Sequence, residues 1–103
     1  MDINKLREQL KIDEGVKYEV YDDHLGYKTF GIGHLVKTTD EEYGWPVGTP
    51  VSEKRVNSVF DKDVETYIDE SKKVFGNLED MPQEVQQVIV NMCFNMGAPR
   101  LSQ

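Results

Sequence analysis

The chain has 103 residues and a formal charge of −7, which is one domain's worth of sequence with a modest core. That charge, with no Lys/Arg cluster to interrupt it, excludes a protein that tracks nucleic-acid phosphates. No apolar run reaches the length of a membrane span or has the pattern of a signal peptide.

The single cysteine, Cys93, excludes an internal disulfide, and its Val, Ile and Met neighbours mark it as a buried inert thiol rather than a nucleophile. The acidic runs "KTTDEEYG" and "DKDVETYIDE" read as solvated helix faces.

The first predicted helix runs from Asp2, a good N-cap, to Glu14, where Gly15 stops it. Its apolar stripe is Ile3, Leu6 and Leu10. Glu14 falls one turn beyond Leu10 on that stripe, while Ile12 lies opposite. A carboxyl at the end of a buried stripe resists ionising once it is desolvated.

Two strands follow. "KYEVY" alternates, with Tyr18 and Val20 on one face and Glu19 and Tyr21 on the other. "DDHLG" is a turn, and "YKTFGIGH" is the second strand. Tyr27, Thr29, Gly31 and Gly33 share one of its faces; Lys28, Phe30, Ile32 and His34 share the other. Thr29 thus projects from a face cleared by glycines, as a strand needs where something approaches closely.

Residues 35–50 read as irregular, with a short helix after Thr38 or Thr39 and a turn-rich "YGWPVGTP" loop. Trp45 is expected to cover the sheet, with stacking on a sugar ring as the alternative. Ser52 caps a long helix to Phe75 whose stripe is Val56, Val59, Phe60, Asp63, Tyr67 and Val74. Asp63 on an apolar face needs a partner, and His34 is the expected one, in a structural ion pair rather than a catalytic or metal site.

The last helix is expected to be capped by Asp80, with Pro82 in its first turn, and to end at Gly97 and Pro99. Val85, Val88, Ile89, Met92 and Met96 form one face, and Val90 and Phe94 lie round the other side. A helix apolar nearly all round belongs in the middle of a fold, yet only Ala98 to Gln103 follow it. Self-association, as a homodimer or otherwise, through this helix is the expected consequence.

A helix ending in a semi-buried acid, a second acid at a hairpin corner and a hydroxyl on a bare strand face are parts that glycoside hydrolysis requires. One carboxyl protonates the leaving oxygen while another acts from the opposite side of the ring. Glu14 fits the first role and Asp23 the second.

Taken together, "IDEG…Y…D…GYKTFGIGH" closely resembles the phage-type lysozymes (muramidases), the family exemplified by the T-even bacteriophage enzyme. "VSEKRVNSVFDKDV" looks like the start of that family's interlobe helix, and "VIVNMCFNMG" like the central helix of its C-terminal lobe. The resemblance implies an α+β, lysozyme-like fold: an N-terminal helix, a small antiparallel sheet, a long connecting helix and a partial C-terminal helical lobe. The expected organisation is a single unit over 1–103, with the helix-plus-sheet lobe at 1–51, the connecting helix at 52–75 and the central-helix remnant at 80–103.

By the same resemblance, Glu14 is the general acid, while Asp23, helped by the Thr29 hydroxyl, positions or activates the attacking water. His34 and Asp63 sit where the family keeps a structural ion pair. Asp13 and Asp22 have no catalytic role and are expected to pair at the surface or the helix end. The implied reaction is inverting cleavage between N-acetylmuramic acid and N-acetylglucosamine in bacterial peptidoglycan, for phage-mediated lysis of a host wall. No metal or organic cofactor, nucleic-acid partner or membrane insertion is implied.

The implied setting is a phage-encoded protein without a signal peptide, acting from the host cytoplasm or carried on the virion. Three departures stand against the family pattern. The chain stops soon after the central helix, before the helices that complete the cleft and supply a basic residue near the catalytic Glu. It is acidic where the prototype is basic. Its "EEYGWPVGTP" loop has no clear counterpart. The alternative is therefore a weak or inactive form that binds peptidoglycan or serves as a structural phage protein.

Overall fold

A computed structural model describes residues 2–96 of the chain. The order is α1 (Ile3–Glu14), β1 (Lys17–Asp22), β2 (Lys28–Gly31), β3 (His34–Leu35), α2 (Glu53–Phe75), a 3-10 turn (Leu78–Asp80) and α3 (Gln83–Met96). The strands form one antiparallel sheet in the order β1-β2-β3. Three helices with a small antiparallel sheet make an α+β, lysozyme-like fold. Among the described residues no helix is long and apolar enough to cross a membrane.

Asp2 caps α1 by accepting from the Lys5 N–H, and Gly15 closes it with a positive φ of 74°. Only Leu6 and Leu10 of the α1 stripe are buried; Ile3 is exposed, because the core begins one turn further along. Those two leucines join Phe30, Phe60, Val56 and Val90 in a single core. That core is shared by α1, the sheet and the faces of α2 and α3 that meet it.

The strands depart from simple alternation. The β1–β2 register pairs Lys17 with Gly31 but Tyr21 with Thr29, so β1 carries a bulge between them. Val20 is consequently buried while Tyr18 is exposed, although alternation puts them on one face. The "YKTFGIGH" segment is two strands, since the chain turns at Ile32 and Gly33 and folds β3 back onto β2. Gly31 and Gly33 therefore do not clear one face. A Cβ at Gly31 would meet Val56 of α2, whereas one at Gly33 would meet Glu14 and Phe94.

Residues 38–44 form successive turns rather than a short helix. The loop is pinned in two places. The Val20 N–H donates to the Thr49 carbonyl and the Val51 N–H to that of Tyr18, which covers the outer edge of β1. At the other point Glu42, only 1% exposed, accepts from Arg55 Nε at 2.8 Å and Nη2 at 3.0 Å. So the "KTTDEEYG" run is not a solvated helix face; the last of its three carboxylates is buried because a guanidinium faces it. Trp45 packs half-buried against the core.

Ser52 caps α2 by accepting from the Arg55 N–H at 3.1 Å. Ser52→Ala is expected to lower stability by about 1 kcal/mol, read as a fall of roughly 5 °C in the thermal midpoint. The buried face of α2 includes Val56, Phe60, Asp63 and Val64, so the "DKDVETYIDE" run too is partly interior. Val74 is exposed, because the sheet and α3 cover only the first five turns or so of α2.

Asp80 does not cap α3. It closes the 3-10 turn capped by Asn77, and the Pro82 carbonyl takes the first α3 bonds, from Val85 and Gln86. Of the two apolar sides of α3, Val90, Cys93 and Phe94 are buried, while Val85, Val88 and Met92 are exposed. The expected helix end at Gly97 and Pro99 lies outside the described residues.

Candidate active site

Glu14 is the last residue of α1, and side-chain bonds hold that helix at its end and further back. Asp13 accepts from Gln9 at 2.9 Å and from Asn91 of α3 at 2.5 Å, and Gln87 donates to the Leu6 carbonyl at 3.5 Å. Asp13 thus works at the helix end, while Asp22 pairs with Lys28 at 2.7 Å. The Glu14 Oε1 atom is shielded from solvent.

Gly33 explains how a strand turn fits beside Glu14. Its φ is +64°, and an added Cβ would lie 3.2 Å from Glu14 Oε2 and 3.3 Å from the Phe94 ring. Only glycine suits both the conformation and the space. Gly33→Ala is expected to cost about 1–2 kcal/mol in backbone strain alone. Melting curves check this.

Asp23 is fixed by the hairpin corner. Its Oδ1 accepts from the Leu25 N–H at 2.8 Å and the Tyr27 N–H at 2.9 Å, and its own N–H donates to the Tyr27 carbonyl. The side chain therefore mimics a backbone turn. Thr29 is buried on β2 and donates its hydroxyl proton to the Tyr27 carbonyl at 3.0 Å. With the proton so directed, its oxygen lone pairs remain as acceptors for a water proton.

Glu14, Asp23 and Thr29 line one open pocket of about 280 Å³, with Tyr21, Phe94 and Lys17 among its other walls. Tyr21 has no role in the sequence reading, because alternation merely sets it opposite Val20. Here it faces both acids: burial first, then the negative charges of Glu14 and Asp23, hold its hydroxyl above its ordinary pKa. The ammonium of Lys17 lies 4.5 Å from the centre of the Tyr21 ring, so a cation stands at the pocket wall. Phe94 reaches the pocket from α3, while its ring packs 5.0 Å from Tyr67 and 6.1 Å from Phe60.

His34 and Asp63 lie outside this pocket and line another one on the far side of β3. Both ring nitrogens of His34 face carboxylates, Nδ1 at 2.6 Å from Asp63 and Nε2 at 2.8 Å from Asp40. Burial pulls the His34 pKa down, but the bonds to and charges of Asp63 and Asp40 outweigh it, so the pKa stands above its ordinary value. With a carboxylate against each ring nitrogen, both are already engaged within the fold. Among the described residues no cluster of His, Cys, Asp and Glu is arranged to hold one. Asp40, which had no part in the sequence reading, also accepts from the Lys37 N–H at 2.8 Å. Burial raises its pKa, but those bonds and the charges of His34 and Lys37 bring it below the ordinary range.

A carboxyl at a helix end, a second at a hairpin corner and a sheet packed on a long helix agree with the lysozyme-like pattern that the sequence resembles. The chain belongs to the phage lysozyme family, whose model matches residues 11–103. It is 30% identical to probable T4-type lysozyme 2 of Dictyostelium discoideum over 97% of this chain and 70% of that protein. Probable T4-type lysozyme 1 of the same organism is 29% identical, over 92% of this chain and 67% of that protein. The pre-baseplate central spike protein Gp5 of Enterobacteria phage T4 is 28% identical over 89% of this chain and 19% of its own length.

Proposed function

We propose that the chain is a muramidase that cleaves the β-1,4 bond between N-acetylmuramic acid and N-acetylglucosamine in peptidoglycan. Glu14 gives its proton to the oxygen that leaves the anomeric carbon as the glycosidic bond breaks. A water attacks that carbon from the opposite face, and its proton passes to Asp23, which leaves the product inverted. Thr29 accepts a hydrogen bond from the attacking water and fixes its approach. The helix-plus-sheet lobe at 1–51 holds these groups, the helix at 52–75 backs the lobe, and the region from 80 onward contributes Phe94. His34 and Asp63 serve the fold rather than the reaction. The biological setting is lysis of a host wall by a phage, from the host cytoplasm or the virion.

What supports this reading is one observation: Glu14 at the end of α1, Asp23 in the β1–β2 turn and Thr29 on β2 line the same open pocket. The test is to incubate the purified chain with peptidoglycan, count new reducing ends, and read the anomer of the first product by NMR. New reducing ends with the α-anomer first are expected. Binding to the wall without sugar release would replace this reading with that of a non-catalytic wall-binding protein.

A further inference from the structure

A third hollow, of about 380 Å³, shares Leu35 with the pocket that holds Glu14. Tyr27, Tyr43, Leu35 and Val36 form its walls, with Lys28 and Gly44 at its rim. Its size is that of a small-molecule site. Tyr27 is 53% exposed and Tyr43 61%, so both rings face solvent across an apolar floor.

Tyr43 is displayed by a rigid support. Its neighbour Glu42 is held by two bonds from Arg55, its own N–H donates to the Asp40 carbonyl at 3.1 Å, and the Trp45 N–H donates to the Glu42 carbonyl at 3.0 Å. Burying a carboxylate costs free energy even when it is paired. The loop accepts that cost and still leaves an aromatic ring bare beside the buried group. A fixed, exposed ring loses little freedom when a ligand stacks on it. Trp45, the more obvious aromatic for such a task, packs half-buried against the core.

We infer that this hollow is a saccharide-binding subsite for the glycan strand beyond the scissile bond, with Tyr43 as its stacking platform. The inference rests on the proposed glycan cleavage. A linear polymer cut internally must continue past the reacting sugar, and Leu35 lines both sites, so they are neighbours. Leu35 also pairs with Thr29 across β2 and β3, so the hollow is one strand away from the water-positioning hydroxyl. The chemistry suits a pyranose. Its C–H face packs on tyrosine rings, while its hydroxyls reach the tyrosine O–H groups and the polar rim. A second protein copy would seek a broader dry face than this small hollow with hydroxyl-tipped walls.

The test uses Glu14→Gln protein, so that ligands survive, and alternating N-acetylglucosamine–N-acetylmuramic acid tetrasaccharide and octasaccharide, with Kd read by calorimetry. Adding Tyr43→Ala is expected to weaken the octasaccharide roughly fivefold or more and to leave the tetrasaccharide unchanged. Tyr43→Phe is expected to keep wild-type affinity for both, because the ring face does the binding. Melting curves should stay unchanged, as Tyr43 is exposed. Equal affinities for Tyr43→Ala and its parent, equal losses at both lengths, or a Tyr43→Phe as weak as Tyr43→Ala would each overturn the subsite. The two readings fail separately. Octasaccharide binding through Tyr43 with no cleavage by the wild-type chain would sink the activity and keep the subsite. Cleavage with length-independent behaviour at Tyr43 would do the reverse.

Discussion

Glu14→Gln is expected to lower wall hydrolysis by about a thousandfold, within the range set by removing a general acid, with no change in the thermal midpoint. Gln matches Glu in shape and can still donate a hydrogen bond. It cannot give up a proton to a departing alkoxide at neutral pH, so bond breaking is left to water. The surroundings tolerate the exchange. Gly33 leaves room beside the carboxyl, and the bond from Asn91 to Asp13 ties the end of α1 to α3. Reducing-end release and a melting curve on the same preparation are the measurements. Unchanged hydrolysis would take Glu14 out of the mechanism. A large loss of stability would instead place it among the residues that hold the fold.

The second large effect concerns stability. Asp63→Asn is expected to destabilise the fold by about 3 kcal/mol near pH 5.5, the lower end for breaking a buried ion pair, because Asp40 still faces the other ring nitrogen of His34. That corresponds to a fall of roughly 15 °C in the thermal midpoint.

The sign of the pH dependence follows from His34. Its folded pKa lies above the ordinary 6.5, so its contribution is fully present below 6.5 and is lost as pH rises through the folded value. Asp40 acts in the opposite sense. Its folded pKa lies below the ordinary 3.8, so its contribution is present above 3.8 and is lost as pH falls through the folded value. The wild-type chain is therefore expected to be most stable between these limits. The gap between wild type and Asp63→Asn should narrow as pH is raised through the His34 transition. Denaturant midpoints across the pH range measure this. A gap that stays constant from pH 5 to pH 9 would show that the imidazolium does not carry the effect.

These two sites differ in how legible they were. Glu14 stood out in the sequence because helical periodicity set a carboxyl on the Leu6–Leu10 stripe, and a helix period is a local property. The Asp2 and Ser52 caps, the Gly15 stop and the long second helix were readable for the same reason. Each depends on neighbours within about one turn. Strand alternation was a poorer guide. The bulge in β1 separates Tyr18 from Val20, and the turn at Ile32 and Gly33 sets Gly31 against α2 and Gly33 against Glu14. Neither break leaves a mark in the hydrophobic pattern, because each is imposed by partners on other strands and helices.

The acidic loop taught the same lesson about charge. Glu42 was indistinguishable from Glu41 in the run of acids until Arg55 was brought against it.

By itself, then, the sequence determined the helices, their caps, the acidic balance and the family motif with its Glu, Asp and Thr. Those features rest on local periodicity and on residue identity. Only the tertiary structure decided which side of α3 is buried, that Tyr21 faces both acids, that Asp40 completes the clasp on His34, and that Tyr43 rather than Trp45 is the exposed ring of its loop. Each of these depends on contacts between residues distant in the chain, where burial and partner, rather than residue type, fix what a side chain can do.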